Sequence, residues 1–524
     1  MMYIPGKANL KLIYKGPSYL LILVLLTLIN PGFGQTSLKD IGLEYGPYEV
    51  GFAHYTKVDS TRTYKRIYAY TNEFIPRPIP VSVWYPANQK ATGSKPLEVL
   101  TYFQILKEEE EWEHLPDEQL LNWFYYTNTP SNQGHLKEET KAFRNLDPAD
   151  GSFPVILYAP SYQAASVENF ALCEYLASHG YLVVSSPSRG TDTRWFRAAD
   201  SREMETQARD VEFLIAEASH FPGADLNSIG TMGFSFGGLA NVVVQMRNRR
   251  IKAIVSLDGT ERYREELLRS SPFFDLDRFD VPYLHMAQKE IPESVLKADD
   301  INPELNSKFI FYDSISKSEA YSLKFHNLTH SYFSSFGVLF EQRDKRQDKS
   351  DLEIMESFQW VARYALMFLD AYLKSDPGAL SFLRNNPVQN GLAEGLISIR
   401  FKSAAKKPFR FQDFNELASQ RNYENLEALY QATKEKHPDL DLPENALNTL
   451  GLQLVFDPEN AEQGINVLRF ATQRYPNSAN LFDSLGEAYL FLGDREKAIE
   501  NFEKSLELYP QNPNAIQRLK ELKG

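Results

Sequence analysis

Short apolar runs alternate with segments of helical periodicity through much of the chain, and this alternation predicts strands separated by helices. Helical periodicity is clear at 167–179, where Gly180 ends the segment, at 202–219 and at 352–373. Strands that alternate with helices form a mostly parallel sheet with helices on both faces, so we expect an α/β domain over residues 40–390. Its predicted strands are 80–86, 155–158, 181–185, 251–257, 281–286, 308–312 and 320–325, together with the run that begins at Ile229.

From about residue 410 the chain has a helical pattern to its end, and residues 480–510 have the signature spacing of a tetratricopeptide repeat. In such a repeat, small residues let the paired helices approach and large residues fill the space between them. Gly486 and Phe502 occupy one position of each kind. We therefore expect an all-α repeat domain over residues 410–524.

Two weaker copies of this pattern precede the clear repeat. One spans 447–476, and the prolines that end the two copies, Pro476 and Pro510, lie 34 residues apart, which is one repeat length. Residues 414–438 fit a third, degenerate unit. The repeats are expected either to bind a partner protein or to pack on the first domain.

A Gly-x-Ser-x-Gly motif centred on Ser235 lies between a predicted strand and an apolar helical segment. This context is that of the nucleophile elbow of α/β-hydrolases, in which the serine occupies a tight turn at the edge of the sheet. Gly233 and Gly237 provide the space that such a turn requires. The N-terminus of the following helix would face a developing oxyanion. The alternative is a glycine-rich turn with an idle serine.

Residues 1–34 have the three-part layout of a secretory signal peptide. Three lysines precede an apolar run of 11 residues at 19–29, and residues 30–34 break the helix and offer small residues for cleavage after Gly34. The run is short for a membrane span, which needs about 20 residues. We expect a periplasmic or secreted protein, with an uncleaved membrane anchor as the alternative.

The composition is that of a globular protein, with 43% hydrophobic and 24% charged residues. Without residues 1–34, 53 Lys and Arg residues remain against 69 Asp and Glu residues, and the resulting charge of −16 argues against nucleic acid as a partner. Cys173 is the single cysteine of the sequence, which excludes an intrachain disulfide. Cys173 and His285 both lie in apolar patterns that predict burial. No motif indicates a metal or another cofactor.

A serine nucleophile needs a histidine base and a carboxylate, and in this fold they follow it in the order acid, then histidine. His326 and His330 both follow the last predicted strand, and position favours His330 without excluding His326. Asp258 follows the strand after the elbow, whereas Glu290 follows the next strand, which is the commoner location. Spacing therefore leaves both acids open.

Five segments are together typical of one group of esterases, and they are 46–51 (GPYEVG), 176–181 (LASHGY), 233–238 (GFSFGG), 257–258 (LD) and His330 with the phenylalanine-rich helix start that follows it. Over residues 46–375 the chain resembles the plasma-type platelet-activating factor acetylhydrolases and the related dienelactone-hydrolase-like esterases. The resemblance implies that Asp258 is the acid and His330 the base. It also implies a hydrolase of short-acyl or lipid-like esters.

An oxyanion hole needs two backbone N–H donors. The residue after the serine, Phe236, supplies one, and the loop after the strand ending at Ala159 supplies the other, for which the register indicates Tyr162. The resembled family begins this loop with His-Gly, whereas Pro160 and Ser161 occupy these positions here, which adds bulk beside the acyl group.

Two further features border the predicted site. Residues 104–147 break the strand rhythm and carry many aromatics, which indicates either a surface helical insertion or a cap whose aromatics line a substrate pocket. Arg189 follows another strand end and is expected either to form a structural ion pair or to bind substrate.

The pattern favours a serine esterase in which Ser235 attacks, His330 moves the proton and Asp258 orients the histidine. One alternative is a serine peptidase of the prolyl-oligopeptidase type, although no propeller domain is visible in the sequence. The other is an inactive scaffold that acts through its helical repeats.

Overall fold

The computed structural model describes residues 36–88, 93–298, 301–340, 346–405 and 409–524. The predicted signal peptide lies outside these residues. The chain divides into two compact units, Met1–Ala405 and Lys406–Gly524. Within the described ranges, no helix is long and apolar enough to cross a membrane.

The first unit is built on a ten-stranded sheet. Its strands are β1 (Glu49–Tyr64), β2 (Ile75–Ala87), β3 (Ala142–Arg144), β4 (Phe153–Ala159), β5 (Leu182–Ser185), β6 (Ala224–Phe234), β7 (Ile251–Leu257), β8 (Tyr283–Ala287), β9 (Ala320–Phe325) and β10 (Ile397–Lys402). Their order across the sheet is β3-β1-β2-β5-β4-β6-β7-β8-β9-β10. Neighbours from β5 to β9 are parallel, whereas β2 pairs antiparallel with both β1 and β5, and β10 pairs antiparallel with β9.

Helices connect these strands and cover them. They are α1 (Val99–Glu109), α2 (Leu120–Trp123), α3 (Pro130–His135), α4 (Phe170–Ser178), α5 (Ser201–Ala218), α6 (Phe236–Arg247), α7 (Glu265–Arg269), α8 (Glu293–Ala298), α9 (Ile310–Ser314), α10 (Ser335–Phe340), α11 (Asp351–Leu373) and α12 (Pro377–Arg384). The connections β4-α4-β5, β5-α5-β6 and β6-α6-β7 follow the alternation that the sequence predicts.

The central strand β4 shows how the sheet separates two hydrophobic layers. Ile156 and Tyr158 are buried in the layer that contains α4 and α11, while Val155 and Leu157 are buried in the layer that contains α5 and α6. Successive side chains of a strand point to opposite faces, so an apolar run of this kind is covered on both sides. The predicted sheet with helices on both faces is therefore confirmed.

The predicted strand at 308–312 is wrong, because the chain forms the short helix α9 there. A short run of four apolar residues, here 309–312, fits either a buried strand or one turn of buried helix, and periodicity alone does not separate them. In the helix, Phe311 packs against Phe279 and Tyr283, with ring centroids 5.1 and 5.5 Å apart.

The edge strand β10 was not predicted. It carries the sequence ISIRFK, in which apolar residues alternate with Ser398, Arg400 and Lys402. This is the alternation of a half-buried strand, but it lies beyond residue 390, where the first domain was expected to end. β10 extends the sheet beyond β9, from Ile397 opposite Phe325 to Lys402 opposite Ala320.

The second unit is helical throughout. Its helices are α13 (Phe411–Ser419), α14 (Leu426–Lys436), α15 (Glu444–Val455), α16 (Ala461–Arg474), α17 (Ala479–Phe491), α18 (Arg495–Leu508) and α19 (Pro513–Lys523). A Cβ atom at Gly486 of α17 would lie 2.8 Å from the Phe502 ring of α18, and one at Gly451 of α15 would lie 2.6 Å from Leu468 of α16. Glycine thus permits the close approach within each helix pair, as the repeat pattern requires.

Candidate active site

Ser235 occupies the sharp junction between β6 and α6. Its φ of 53° and ψ of −116° are strained for a residue with a side chain, which is typical of a nucleophile elbow. A Cβ atom at Gly237 would overlap the carbonyl of Ala159, and one at Gly233 would overlap the main chain of Gly237. The two glycines of the motif are therefore required by space, and the turn packs directly on the end of β4.

Three side chains from separate loops form a continuous hydrogen-bonded row. His330 Nε2 lies 3.0 Å from the Ser235 hydroxyl, and His330 Nδ1 lies 2.6 Å from Asp258 Oδ2. With the Nδ1–H donating to the carboxylate, Nε2 is free to accept the serine proton. The His330 side chain is 38% exposed, so the serine and histidine are open to solvent.

The Asp258 carboxylate is fully buried and has four donors around it. They are His330 Nδ1, the Gln288 main-chain N–H at 3.0 Å, the Gln288 side-chain amide at 2.8 Å and the Tyr263 hydroxyl at 3.4 Å. Burial alone raises the pKa of Asp258, but hydrogen bonds from His330 and Gln288 outweigh it, and the pKa lies below its ordinary value. The carboxylate is thus ionised at neutral pH and stabilises a positive charge on His330.

The two alternatives from spacing lie elsewhere. Glu290 is exposed and pairs with Lys324 at 3.4 Å. His326 Nε2 lies 3.2 Å from the Ser398 hydroxyl of β10. The structure therefore brings Asp258 and His330, rather than Glu290 and His326, to Ser235.

The two residues that the sequence placed in the core are buried as predicted. Cys173 lies within α4, in the hydrophobic layer that contains α4 and α11. His285 is buried on β8, with its ring against Phe309 at a centroid distance of 4.6 Å.

The two predicted oxyanion donors lie on adjoining segments. Phe236 begins α6, and its N–H, like every first-turn amide of a helix, has no intrahelical partner. No residue in the described ranges accepts a hydrogen bond from the Tyr162 N–H. The Tyr162 and Phe236 rings lie 5.8 Å apart, and Phe196 packs against both, at 4.5 and 5.3 Å. The loop after β4 and the first turn of α6 thus form one side of the site.

Side chains that sequence reasoning missed hold this loop. Gln207 of α5 donates to the Pro160 carbonyl at 2.8 Å. Glu168 accepts hydrogen bonds from the Ser161 N–H at 2.9 Å and from the Ser161 hydroxyl at 2.5 Å. The sequence pattern places Glu168 inside the predicted helix at 167–179, whereas α4 begins only at Phe170, so Glu168 lies in the loop before it.

Arg189 is buried and has a structural position. It donates to the main-chain carbonyl of Glu109 at the end of α1 and lies over the Tyr64 ring at 5.9 Å. Its partner is thus a carbonyl rather than the carboxylate of an ion pair.

The insertion at 104–147 packs on the segment that carries the histidine. Tyr126 contacts Phe340 of α10 at a ring-centroid distance of 5.7 Å, and α10 closely follows His330. Trp112 and Trp123 pack against each other at 4.5 Å. Part of the insertion therefore belongs to the hydrophobic core.

The part of the chain that the structure describes contains no group of three or more His, Cys, Asp or Glu residues that could hold a metal ion.

One comparison with known proteins agrees with the helical second unit. The family model of the tetratricopeptide repeat matches residues 479–512. No curated protein matches the chain. Among solved structures, the ferulic acid esterase from Streptomyces cinnamoneus is similar, with 17% sequence identity and a TM-score of 0.46, over 68% of this chain and 97% of that chain. The strand order and the elbow define an α/β-hydrolase fold, and C-terminal tetratricopeptide repeats follow it.

Proposed function

We propose that this protein is a serine-dependent carboxylic ester hydrolase that works through an acyl-enzyme. The observation that carries the proposal is the position of His330 between Ser235 and Asp258, at 3.0 and 2.6 Å. This is the spacing at which a histidine takes a serine proton and a carboxylate stabilises the resulting imidazolium.

In the first half of the reaction, Ser235 Oγ bonds to the ester carbonyl carbon while its proton passes to His330 Nε2. The carbonyl oxygen becomes an oxyanion, for which the N–H groups of Phe236 and Tyr162 are the donors. When the tetrahedral intermediate collapses, the C–O bond to the alcohol breaks, and His330 protonates the departing alkoxide. Water then attacks the acyl-enzyme by the same steps and releases the acid.

Short-acyl or lipid-like esters are the proposed substrates. The resemblance to the platelet-activating factor acetylhydrolases supports this class. The rings of Tyr162, Phe196 and Phe236 support it independently, because they pack together into an apolar surface on the segments next to the serine.

Export and a protein partner complete the proposal. The layout of residues 1–34 supports removal of a signal peptide and a periplasmic or secreted location. The tetratricopeptide repeats support binding of a partner protein, since helical repeats present extended surfaces.

The proposal is tested by hydrolysis of p-nitrophenyl esters from acetyl to octanoyl by the purified full chain and by Ser235→Ala. We expect the variant to lose about 10⁴-fold or more in kcat, with the wild type fastest on short chains. Ser219→Ala, at an exposed serine that ends α5, is the matched control and is expected to keep full activity. A folded wild type that hydrolyses none of these esters would contradict the proposal.

A further inference from the structure

Glu168 is a buried carboxyl in the loop between β4 and α4. Its carboxylate accepts two hydrogen bonds from Ser161, from the N–H at Oε2 and from the hydroxyl at Oε1, and a longer one at Oε2 from the Tyr158 hydroxyl, at 3.4 Å. Ser161 immediately precedes Tyr162 in the chain. The two hydrogen bonds to Ser161 therefore restrict the orientation of the peptide group between Ser161 and Tyr162, which carries the Tyr162 N–H.

The main chain of Glu168 makes a second connection, on the other side of the site. Its carbonyl accepts the N–H of Phe336 at 3.2 Å, and Phe336 belongs to α10, which follows the His330 turn. One residue thus contacts the loop of the second oxyanion donor and the segment that carries the base.

Burial at this position disfavours the charged form of the Glu168 carboxyl. Burial raises the pKa of Glu168 to about 7, although the Ser161 hydrogen bonds and the charge of His330 oppose the shift. Burial disfavours the charged form of a carboxyl group, and hydrogen bonds to neighbouring groups offset part of that cost while they hold those groups in place. Here the group that it organises directly is the loop 160–162.

The local sequence explains why such a residue is needed. The resembled family begins this loop with His-Gly, whereas this chain has Pro160 and Ser161. Ser161 supplies the hydroxyl that Glu168 binds, and the Pro160 carbonyl is held by Gln207. Side-chain hydrogen bonds thus hold this loop, whose sequence differs from the His-Gly of the resembled family.

We infer that Glu168 is a positioning residue for ester hydrolysis, whose carboxylate holds Ser161 so that the Tyr162 N–H faces the oxyanion on Ser235. This inference rests on the proposed function. It assigns Glu168 no contact with the substrate and no proton transfer. Its effect on the reaction passes through Ser161 and Tyr162.

The test uses Glu168→Gln, Ser161→Ala and the double variant in the full chain. For p-nitrophenyl acetate we expect each single variant to lower kcat about 10- to 100-fold with KM changed less than about 2-fold, because donor geometry matters in the transition state. The double variant should be no slower than the slower single variant, since both changes break the same interaction.

An aryl trifluoromethyl ketone supplies a direct readout of the oxyanion site. Ser235 Oγ adds to its carbonyl carbon, the carbonyl oxygen becomes the oxyanion, and the serine proton passes to His330. We expect the inhibition constant to rise in Glu168→Gln and Ser161→Ala by about the factor by which kcat/KM falls. An unchanged inhibition constant in both variants would overturn the inference.

Glu174→Gln is the matched control. Glu174 is a buried glutamate on α4 whose pKa burial also raises to about 7, and it accepts hydrogen bonds from the Tyr102 hydroxyl at 2.6 Å and the Lys141 N–H at 3.0 Å. Equal losses of kcat in Glu174→Gln and Glu168→Gln would show a structural effect only and would overturn the inference.

Failure of the inference and failure of the proposed function have different signatures. If the wild type is active, Ser235→Ala is inactive and both Glu168→Gln and Ser161→Ala equal the wild type, only the positioning role fails. If the folded wild type is inactive, the proposed function fails and the positioning role fails with it. Ser161→Ala tests the same bond from its other end should Glu168→Gln not fold.

Discussion

Gln288 binds Asp258 with two donors, its main-chain N–H at 3.0 Å and its side-chain amide at 2.8 Å. Gln288 directly follows β8, the strand after which the acid of this fold is more commonly found. In this chain the acid follows β7 instead, and the residue after β8 holds it in place.

Replacing Gln288 by Leu should lower kcat/KM for p-nitrophenyl acetate by about 10-fold and the free energy of unfolding by about 1–3 kcal/mol, because a buried carboxylate loses a charge-assisted hydrogen bond. Ester hydrolysis and denaturant unfolding measure the two effects. Gln245→Leu on α6 removes a comparable buried amide that donates to the Arg278 carbonyl. It should cost stability while kcat/KM stays within about 2-fold. Equal losses of kcat/KM in the two variants would contradict a specific role for Gln288.

The stability that three buried glutamates contribute should fall as the pH rises from about 5 to 8. Burial raises the pKa of Glu109, Glu168 and Glu174 to about 7 from an ordinary value of 4.5. A carboxyl whose pKa is higher in the folded state contributes stability that is complete below the unfolded-state pKa and is lost as the pH rises through the folded-state pKa. Each group should account for about 1–3 kcal/mol.

Denaturant unfolding of the wild type and of Glu174→Gln at several pH values between 5 and 8 measures this dependence. The variant should lose part of the slope, because a neutral amide has no such equilibrium. Identical slopes in the two proteins would show that Glu174 does not titrate in this range.

Replacing Gly237 by Ala should abolish measurable ester hydrolysis and destabilise the first unit by about 3 kcal/mol or more. The added methyl group would overlap the Ala159 carbonyl and force the elbow away from the end of β4. Gly378→Ala on α12 is the control, since its Cβ would meet only the flexible end of Asp376, at 3.2 Å. It should change neither activity nor the melting temperature by much. A Gly237→Ala protein with wild-type activity would show that the elbow tolerates displacement.

The exported chain should begin at Gln35, because cleavage is expected after Gly34. N-terminal sequencing or intact mass of the protein from a periplasmic or culture fraction measures this directly. A chain that keeps residues 1–34 and partitions with membranes would instead support the uncleaved anchor.

The central strands and Ser235 were predictable because local sequence determines them. Apolar runs such as β4 are buried on both faces, and the turn around Ser235 restricts three of five consecutive positions at once. The choice between Asp258 and Glu290 was different, because spacing does not say which strand end meets the histidine. The resemblance favoured Asp258, and the structure places it beside His330.

Features that depend on distant contacts escaped the sequence. The role of Glu168 follows from its contact with Ser161 across the loop, and neither residue is distinctive by itself. The run at 308–312 predicts a strand because four of its five residues are apolar, whereas the chain forms a helix there that packs against Phe279 and Tyr283. The edge strand β10 has an alternating pattern, but it lies beyond residue 390, where the first domain was expected to end.

The position of β10 has a practical consequence for anyone who shortens this protein. A catalytic fragment that stops at residue 390, where the sequence pattern first indicates a boundary, would keep Ser235, Asp258 and His330 but remove β10. The hydrogen-bonding edge of β9 would then be bare, and such an edge invites pairing with a second chain. In a fragment that extends past Lys402, β9 stays paired with β10. The end of the fragment should therefore be chosen for solubility, because the catalytic residues are present in both fragments.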